Sequence, residues 1–163
     1  MNPETQVPYY AVHKDGLIAG FFGPFRFLSN FHILENGVCL DEVYYPSVEH
    51  AYQAAKYPRN LRAEFIGVTA GKAKKLGALA KMDSRKWQKQ KYNLMYEFVR
   101  QKFTNNPTLR EMLWMTDGCT LEERNNWGDT DWGTDPDGKG ENNLGKILMN
   151  VRERLKIGPD DQF

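Results

Sequence analysis

The sequence predicts a single α+β domain in which helices dominate and the β-part is a small antiparallel hairpin or sheet. Short apolar stretches flanked by turn residues occur near the N-terminus, whereas apolar residues recur at helical spacing in most of the remaining chain. The chain has 163 residues, of which 40% are hydrophobic and 26% charged. This composition is globular, and it excludes wholesale disorder.

Two β-features are predicted first. Gly16 to Phe22 is short, apolar and interrupted by glycine, which favours a strand. Residues 31–34 and 38–43 flank Glu35-Asn36-Gly37, and the Asn-Gly pair supplies the positive φ angles of a tight hairpin turn. We therefore expect a hairpin over residues 31–43.

Five helices are predicted after the hairpin. The first begins at Pro46-Ser47 and ends near Tyr57, because Pro58 disfavours helix at the residue before it. Apolar periodicity and capping residues set the others, which are Thr69–Leu79, Trp87–Phe103, Pro107–Met115 after an Asn106 cap, and Asn143–Leu155. The apolar stripes of the third and fifth helices are interpreted as core: Trp87, Leu94, Met95, Phe98 and Phe103, then Leu144, Ile147, Leu148, Val151 and Leu155.

Length and sequence pattern also limit the organisation and setting of the protein. We expect an N-terminal extension over residues 1–15, one domain over residues 16–157 and a tail over residues 158–163. The chain shows no apolar run of membrane length and no signal peptide, and its two cysteines have no metal-like spacing. These features predict a cytoplasmic protein without a membrane partner; the oligomeric state is left open.

Charge is unevenly distributed although the net charge is only +1. Residues 59–102 hold twelve Lys or Arg against three acids, and residues 117–141 hold eight acids against two basic residues. Two solvated faces explain this pattern most simply. The alternative is a basic rim beside an acidic site, which suits a phosphorylated or nucleic-acid substrate.

The first helix carries the first candidate for chemistry. At about 100° per residue, Glu49, Gln53 and Lys56 fall on one face. A carboxylate, an amide and an amine in line suit general acid–base catalysis and substrate orientation, although a salt-bridged surface helix would show the same spacing. Ser47 is interpreted as the helix N-cap and His50 as a packing histidine.

The long stretch 117–142 carries two further candidates and is predicted to be a functional loop. Its two Trp-Gly pairs, at Trp127 and Trp132, alternate with acids and could stack a flat base. An EF-hand is excluded because Gly133 falls where that loop needs an oxygen ligand, whereas looser Mg²⁺ or Ca²⁺ binding by acids of residues 129–137 stays open. A glycine-rich turn with Lys139 then leads into a helix N-terminus, where free N–H groups favour phosphate.

Taken together, these segments resemble the NADAR family over about residues 20–155. The motifs that carry the resemblance appear in order: residues 27–31, Phe-Leu-Ser-Asn-Phe, in which Ser29 and Asn30 could reach a site; Pro46-Ser47-Val48-Glu49-His50 with Gln53 and Lys56; Ala73-Lys74-Lys75-Leu76-Gly77; Trp87 with Lys91; Lys102-Phe103; Leu121, Glu123, Asn125, Trp127-Gly128-Asp129 and Trp132-Gly133; and Gly140, Asn142 or Asn143, Leu144-Gly145 and Leu148-Met149.

The resemblance implies a compact, mostly helical α+β fold and an N-glycosidase that needs no metal or other cofactor. Two substrate classes follow from it. One is ADP-ribose attached to guanine bases in nucleic acid, and the other is the phosphoribosylamino-pyrimidine intermediates of riboflavin synthesis. A non-catalytic module that binds ADP-ribose or NAD is a third hypothesis.

The resemblance also implies roles for individual residues. Glu49 is expected to be the general acid or base at the anomeric carbon. Lys56 is either an anion contact or the amine that captures the opened sugar as a Schiff base, with Lys74 and Lys75 as rivals. The expected substrate contacts are Ser29, Asn30, Gln53, Glu123, Asn125, Trp127, Asp129 and Trp132, and the expected phosphate contacts are Lys139, Gly140 and Asn143.

Overall fold

The computed structural model describes residues 6–156. The chain contains five strands, namely β1 (Val12–Lys14), β2 (Leu17–Ala19), β3 (Val38–Leu40), β4 (Val43–Tyr45) and β5 (Thr120–Glu122). Its five α-helices are α1 (Val48–Ala54), α2 (Ala70–Ala78), α3 (Ser84–Asn105), α4 (Pro107–Trp114) and α5 (Asn143–Lys156), and 3₁₀ helices cover Gly23–Leu28 and Arg59–Phe65. The predicted mostly helical α+β class is confirmed.

The contacts group these elements into two compact units. The continuous unit is Asn30–Pro107, and the discontinuous unit combines the described residues before Asn30 with those after Pro107. The domain limits at residues 16 and 157 stay a prediction, and the predicted tail from residue 158 lies outside the described residues. The predicted N-terminal extension contains β1, which no sequence signal indicated.

The discontinuous unit is built on a three-stranded sheet of order β1-β2-β5. Strand β2 pairs antiparallel with β1 and parallel with β5, so that Ile18 lies opposite Leu121. Both residues are buried, and α5 adds Leu144, Leu148 and Val151 of its predicted stripe to this core. Strand β5 lies inside the stretch that was predicted to be a loop throughout, and that prediction is wrong for these three residues.

A buried arginine fastens α5 inside this unit. Arg152 Nη1 donates to the carbonyl of Thr116 at 2.8 Å, to its hydroxyl at 3.0 Å and to the carbonyl of Cys119 at 3.0 Å. These bonds provide donors for the buried acceptor groups of the turn that leads from α4 into β5. A charge-assisted bond of this kind is worth about 1.5–3 kcal/mol, so the turn and the helix hold each other in place.

The continuous unit contains the β3–β4 hairpin, and its turn differs from the prediction. The turn residues are Asp41 and Glu42, whose φ angles of 49° and 68° are both positive, as a two-residue hairpin turn requires. Residues 31–34 are not a strand. Asn36 instead donates from its side chain to the carbonyl of Asn105 at 2.7 Å, which fastens the incoming chain to the end of α3.

The helices of this unit follow the predicted pattern. Helices α2 and α3 lie within three residues of their predicted bounds, and the α3 stripe is buried except for the half-buried Leu94. Helix α1 ends at Ala54, three residues earlier than predicted. The N–H of Lys56 donates to the carbonyl of Gln53 at 3.2 Å, so a tighter turn follows the helix and carries Lys56.

Candidate active site

Helix α1 of the continuous unit begins with satisfied backbone groups. Ser47 Oγ accepts the N–H of His50 at 3.3 Å, which confirms the predicted N-cap. The carbonyl of Asn30 accepts the N–H of Glu49 at 3.0 Å. A carboxylate in the first turn also complements the positive end of the helix dipole. The local sequence therefore fixes the backbone from which Glu49 projects.

The side chains of Glu49 and Gln53 meet as their spacing predicts. Gln53 Nε2 donates to Glu49 Oε1 at 2.8 Å, and the two residues are only 5% and 7% exposed, Gln53 being the more buried. A surface salt bridge would leave the carboxylate in water. This carboxylate is buried and hydrogen-bonded instead, which is typical of a functional acid or base.

Lys56 lies against an aromatic wall in the same unit. Its Nζ is 5.2 Å from the ring centre of Tyr52 and 5.7 Å from that of Trp87. The two rings pack on each other with centres 5.2 Å apart. The two distances from Lys56 Nζ to the rings are within the range of a cation–π interaction. Lys56 therefore has a defined position and is half-buried rather than extended into solvent.

The surroundings of Lys56 have a net effect that lowers the pKa of its amine. Burial lowers the pKa of the Lys56 amine below its ordinary value of 10.5; the Glu49 carboxylate opposes this shift, and the cations of Lys91 and Lys74 reinforce it. Lys91 is buried, whereas Lys74 and Lys75 are exposed. A nucleophilic lysine needs a lowered pKa, and Lys56 meets this requirement.

His50 belongs to the packing of α1, as predicted. Its Nε2 lies 2.7 Å from the carbonyl of Val68, and its Nδ1 lies 2.6 Å from Ser47 Oγ. Because a carbonyl can only accept, Nε2 carries the hydrogen and Nδ1 accepts from the serine hydroxyl. Both ring nitrogens are thus used inside the protein, and the residue is fully buried.

The discontinuous unit contains the second candidate region, residues 122–143, which we call the tryptophan loop. Asn125 lies at its centre and is fully buried. Its Nδ2 donates to the carbonyls of Asp129 at 2.8 Å and Thr134 at 3.1 Å, and its Oδ1 accepts the N–H of Asp129 at 3.1 Å and of Trp127 at 3.3 Å. Asn125 therefore shapes the loop from inside.

Other predicted contacts are also engaged within the loop. Asp129 Oδ1 accepts the N–H of Trp132 at 2.9 Å, and Asn143 Nδ2 donates to the carbonyl of Asp131 at 2.8 Å and to its carboxylate at 3.0 Å. Trp127 is different, because 51% of its surface is exposed. The loop thus presents a large aromatic side chain on a backbone that is fixed by its own polar residues.

The predicted phosphate turn is only partly suited to that role. The N–H groups of Asn143 and Leu144, at the start of α5, donate to the carbonyls of Asp131 and Trp132 at 3.2 and 3.0 Å. These two donors are therefore not free for an anion, which corrects the expectation of an open helix N-terminus. A phosphate contact there would depend on the exposed Lys139 and Gly140.

The other predicted site residues lie elsewhere in their units. Ser29 is buried at the end of the first 3₁₀ helix, and Glu123 is half-buried beside β5. Asn30 Nδ2 lies 3.4 Å from the sulfur of Met95. Across residues 6–156, no three His, Cys, Asp or Glu side chains come together in a way that could hold a metal ion.

The structure adds residues that the sequence did not single out. Lys91 was noted only within a motif, Trp87 was assigned to the core stripe of the third helix, and Tyr52 was not considered for the site. On α3, Trp87 precedes Lys91 by four residues, and residues four apart lie on the same side of a helix. No such signal links Tyr52 to Lys56, because α1 ends at Ala54. Only the tertiary structure brings Tyr52 and Trp87 together beside Lys56.

A separate cavity of about 360 Å³ lies in the discontinuous unit. Its walls are mainly apolar and include Phe25, Phe27, Met112 and Met115. None of the predicted site residues lines it.

Among residues 6–156, no helix is long and apolar enough to span a membrane.

The fold and these two regions define the class of the protein. The NADAR domain family matches residues 17–156, which is most of the chain. The chain therefore belongs to the NADAR family, and the resemblance inferred from its motifs is confirmed.

Two relatives are similar to it in sequence, and one solved structure is similar to it in fold. N-glycosidase Npun_R5314 of Nostoc punctiforme is 33% identical over 139 residues, which are 82% of this chain and 87% of that protein. Riboflavin biosynthesis protein VVA0006 of Vibrio vulnificus is 35% identical over 138 residues, which are 80% of this chain and 35% of that protein. The NMR structure of the Escherichia coli protein YbiA has a TM-score of 0.78 and 28% identity, covering 100% of this chain and 98% of that chain.

Proposed function

We propose that this chain is an N-glycosidase that hydrolyses the C1′–N bond of a phosphorylated ribose adduct, with Glu49 and Lys56 acting at C1′. The observation that carries the proposal is the buried Glu49–Gln53 pair on the helix that leads to Lys56, an amine with a lowered pKa. The similarity to a protein named N-glycosidase, over 82% of this chain, supports the same reaction class.

Glu49 supplies the proton transfer that this bond requires. When the C1′–N bond breaks, the base leaves with the electron pair and must gain a proton, while C1′ gains an oxygen from water. In direct hydrolysis, Glu49 accepts a proton from the attacking water and the leaving nitrogen takes up one proton. The sum is one water consumed for one base and one sugar released. General acid–base catalysis of this kind contributes about 10²–10⁴-fold.

Lys56 offers a second route to the same products. Its neutral amine attacks C1′, the base leaves with the bonding electrons, and one amine proton passes to the leaving nitrogen through Glu49. The ring then opens: the C1′–O4′ bond breaks, O4′ takes the second amine proton, and an imine forms between C1′ and Nζ. Water then adds to the imine and releases the sugar and the neutral lysine, so one water is again consumed. Lys74 and Lys75 are the alternative amines for this step.

We propose ADP-ribose on guanine in nucleic acid as the substrate. In the segment 59–102, ten of the twelve Lys and Arg residues are exposed or half-buried, and these would attract a polyanion. The exposed ring of Trp127 provides a surface on which a base can stack. Asp129 and Trp132 would contact ribose or base, and Lys139 with Gly140 would contact phosphate.

A phosphoribosylamino-pyrimidine intermediate of riboflavin synthesis is the second candidate substrate. The similarity to riboflavin biosynthesis protein VVA0006 favours it specifically. The net charge of +1 also suits a small metabolite. The bond that breaks is of the same type, so the same roles of Glu49 and Lys56 apply.

A non-catalytic module for ADP-ribose or NAD is the weaker hypothesis. A buried carboxylate does not help to bind a diphosphate, because it repels the anion. Binding without turnover, unchanged by Glu49→Gln, would favour such a module over an enzyme.

A borohydride trapping experiment tests the proposal. The protein is mixed separately with an ADP-ribosylated guanine oligonucleotide and with the phosphoribosylamino-pyrimidine; one portion is reduced and another is assayed for release of the base. A reduced sugar adduct on Lys56 supports the imine route, and an adduct on Lys74 or Lys75 moves the nucleophile. Release without an adduct favours direct hydrolysis by Glu49. No release from either substrate would overturn the proposed function.

A further inference from the structure

The amide of Gln53 fills the space that a side chain at Gly77 would occupy. A Cβ built at Gly77, in α2, would lie 1.7 Å from Gln53 Oε1 and 2.5 Å from Gln53 Cδ. Atoms that are not bonded to each other cannot approach so closely. Any residue larger than glycine at this buried position would therefore displace the amide of Gln53.

The hydrogen bond to Glu49 determines which way the amide faces, and Gly77 leaves the room for its other end. With its oxygen against Gly77, the amide places Nε2 2.8 Å from Glu49 Oε1 and donates to it. Turned over, it would bring its oxygen against the carboxylate. In the part of the chain that the structure describes, the buried Gln53 Oε1 accepts no hydrogen bond. An unsatisfied buried acceptor is unfavourable, and the oxygen lies there because the amide nitrogen must face the carboxylate to donate to it.

Helix α2 contains a second glycine that makes no such space. A Cβ built at Gly71 would meet no atom within 4 Å. Both glycines weaken a helix relative to alanine. The two positions therefore share a helix and a residue type, but only Gly77 has a neighbour that requires glycine.

We propose that Gly77 is a positioning residue for Glu49: by leaving room for the Gln53 amide, it fixes the carboxylate that acts at the glycosidic bond. This inference rests on the proposed function of Glu49. Gly77 acts through Gln53 and has no reacting group of its own. Its effect should therefore disappear when the Gln53 amide is removed.

The test compares Gly77→Ala, Gln53→Ala and the double variant, with Gly71→Ala as the matched control. We expect Gly77→Ala to lower kcat by about 10- to 100-fold, since misplacing a catalytic group by about 1 Å can cost about 100-fold, with little change in KM. Gly71→Ala should keep the wild-type kcat. The double variant should match Gln53→Ala within about twofold. Wild-type kcat in Gly77→Ala, or independent losses that multiply in the double variant, would overturn the proposal.

A titration that needs no substrate separates this proposal from the proposed function. The ¹³C NMR signal of the Glu49 carboxyl is followed against pH in wild type, Gly77→Ala and Gly71→Ala. A carboxylate that has lost its donor is protonated more easily, so the titration midpoint should lie at higher pH in Gly77→Ala alone. An unchanged midpoint overturns the positioning role even if the wild type is active. A wild type that cleaves neither substrate overturns the proposed function whatever the titration gives.

Folding of the variants is itself informative. In the double variant the clashing amide is gone, and the two Cβ atoms, 3.0 Å apart as built, need only a small shift. If Gly77→Ala fails to fold, the double variant should fold and melt close to Gln53→Ala. A double variant that also fails to fold would show that Gly77 is needed for reasons other than the Gln53 amide, and would overturn the proposal.

Discussion

The Glu49 helix and the tryptophan loop use polar side chains in opposite ways. On α1, regular helical spacing lines up Glu49 and Gln53, which bond to each other. In the loop, Asn125, Asp129 and Asn143 bond mainly to loop backbone. A helix satisfies its own backbone and leaves its side chains for chemistry, whereas an irregular segment must use polar side chains to hold its shape. Variants that remove a single polar group should therefore affect catalysis in the first region and stability in the second.

Glu49→Gln should give the largest effect and tests the helix side of this comparison. The amide cannot exchange a proton at the glycosidic bond, so kcat/KM should fall by about 10²–10⁴-fold. Thermal unfolding should shift little, because glutamine has the same shape. Steady-state assays and a melting curve measure the two effects. Loss of stability with retained kcat would assign Glu49 to structure.

Asn125→Ala should produce the opposite result in the tryptophan loop. Several backbone groups lose their buried partner, so the free energy of unfolding should fall by about 2–4 kcal/mol. The exposed neighbour Asn126 is the matched control, and Asn126→Ala should change it by less than about 0.5 kcal/mol. Urea unfolding monitored by circular dichroism gives both values. Equal stability of the two variants would contradict a shaping role for Asn125.

Trp127→Ala tests whether the loop presents a stacking surface. Stacking of a base on an aromatic ring is worth about 1–3 kcal/mol, so KM should rise by roughly 5- to 100-fold with kcat and melting temperature nearly unchanged. Trp114 lies on α4 and is 36% exposed. It provides the control substitution Trp114→Ala, which should leave KM unchanged. An unaltered KM in Trp127→Ala would remove this ring from the site.

Lys91→Met should have the smallest effect, and it examines the charges around Lys56. The Lys91 cation lowers the pKa of Lys56. Removing this cation therefore raises the pKa of Lys56, and at any pH below that pKa a smaller fraction of the amine is neutral. Each pKa unit changes this fraction about tenfold. We expect trapping near pH 8 to slow by about two- to tenfold and the rise of its rate with pH to move to higher pH.

The control for this prediction is Lys89→Met, an exposed position on the same helix. It should leave the pH dependence of trapping unchanged. If Lys91→Met and Lys89→Met gave the same profile as the wild type, Lys91 would not influence the reactive amine.

The sequence allowed the regular part of the fold to be predicted, because the spacing of apolar residues and the capping residues indicate a helix from the local sequence. The spacing of Glu49 and Gln53 and the apolar stripe from Trp87 to Phe103 follow from 3.6 residues per turn. Strand β5 was missed because its three residues pair with β2, far away in the chain. The hairpin was displaced because Asn36-Gly37 is a stronger local turn signal than Asp41-Glu42, although the latter pair makes the turn.

The candidate site was predictable only as a set of residue types. Helical geometry placed Glu49 beside Gln53, but it could not show that Gly77 of another helix makes room for that amide. Nor could it show that Tyr52 and Trp87 pack together under Lys56. In the tryptophan loop, residue type was misleading: Asn125 was expected to contact the substrate, and its side chain is used by the loop backbone. Such contacts depend on long-range packing, which spacing does not reveal.

The discontinuous unit has a consequence for the order in which the protein is made on the ribosome. Strand β2 begins at Leu17, and its parallel partner begins at Thr120, roughly a hundred residues later. The three-stranded sheet cannot be completed before Glu122 has been synthesised. All residues of Asn30–Pro107 have been joined to the nascent chain by then. The whole segment that carries Glu49 and Lys56 is therefore synthesised before β5, the third strand of the sheet that contains β1 and β2.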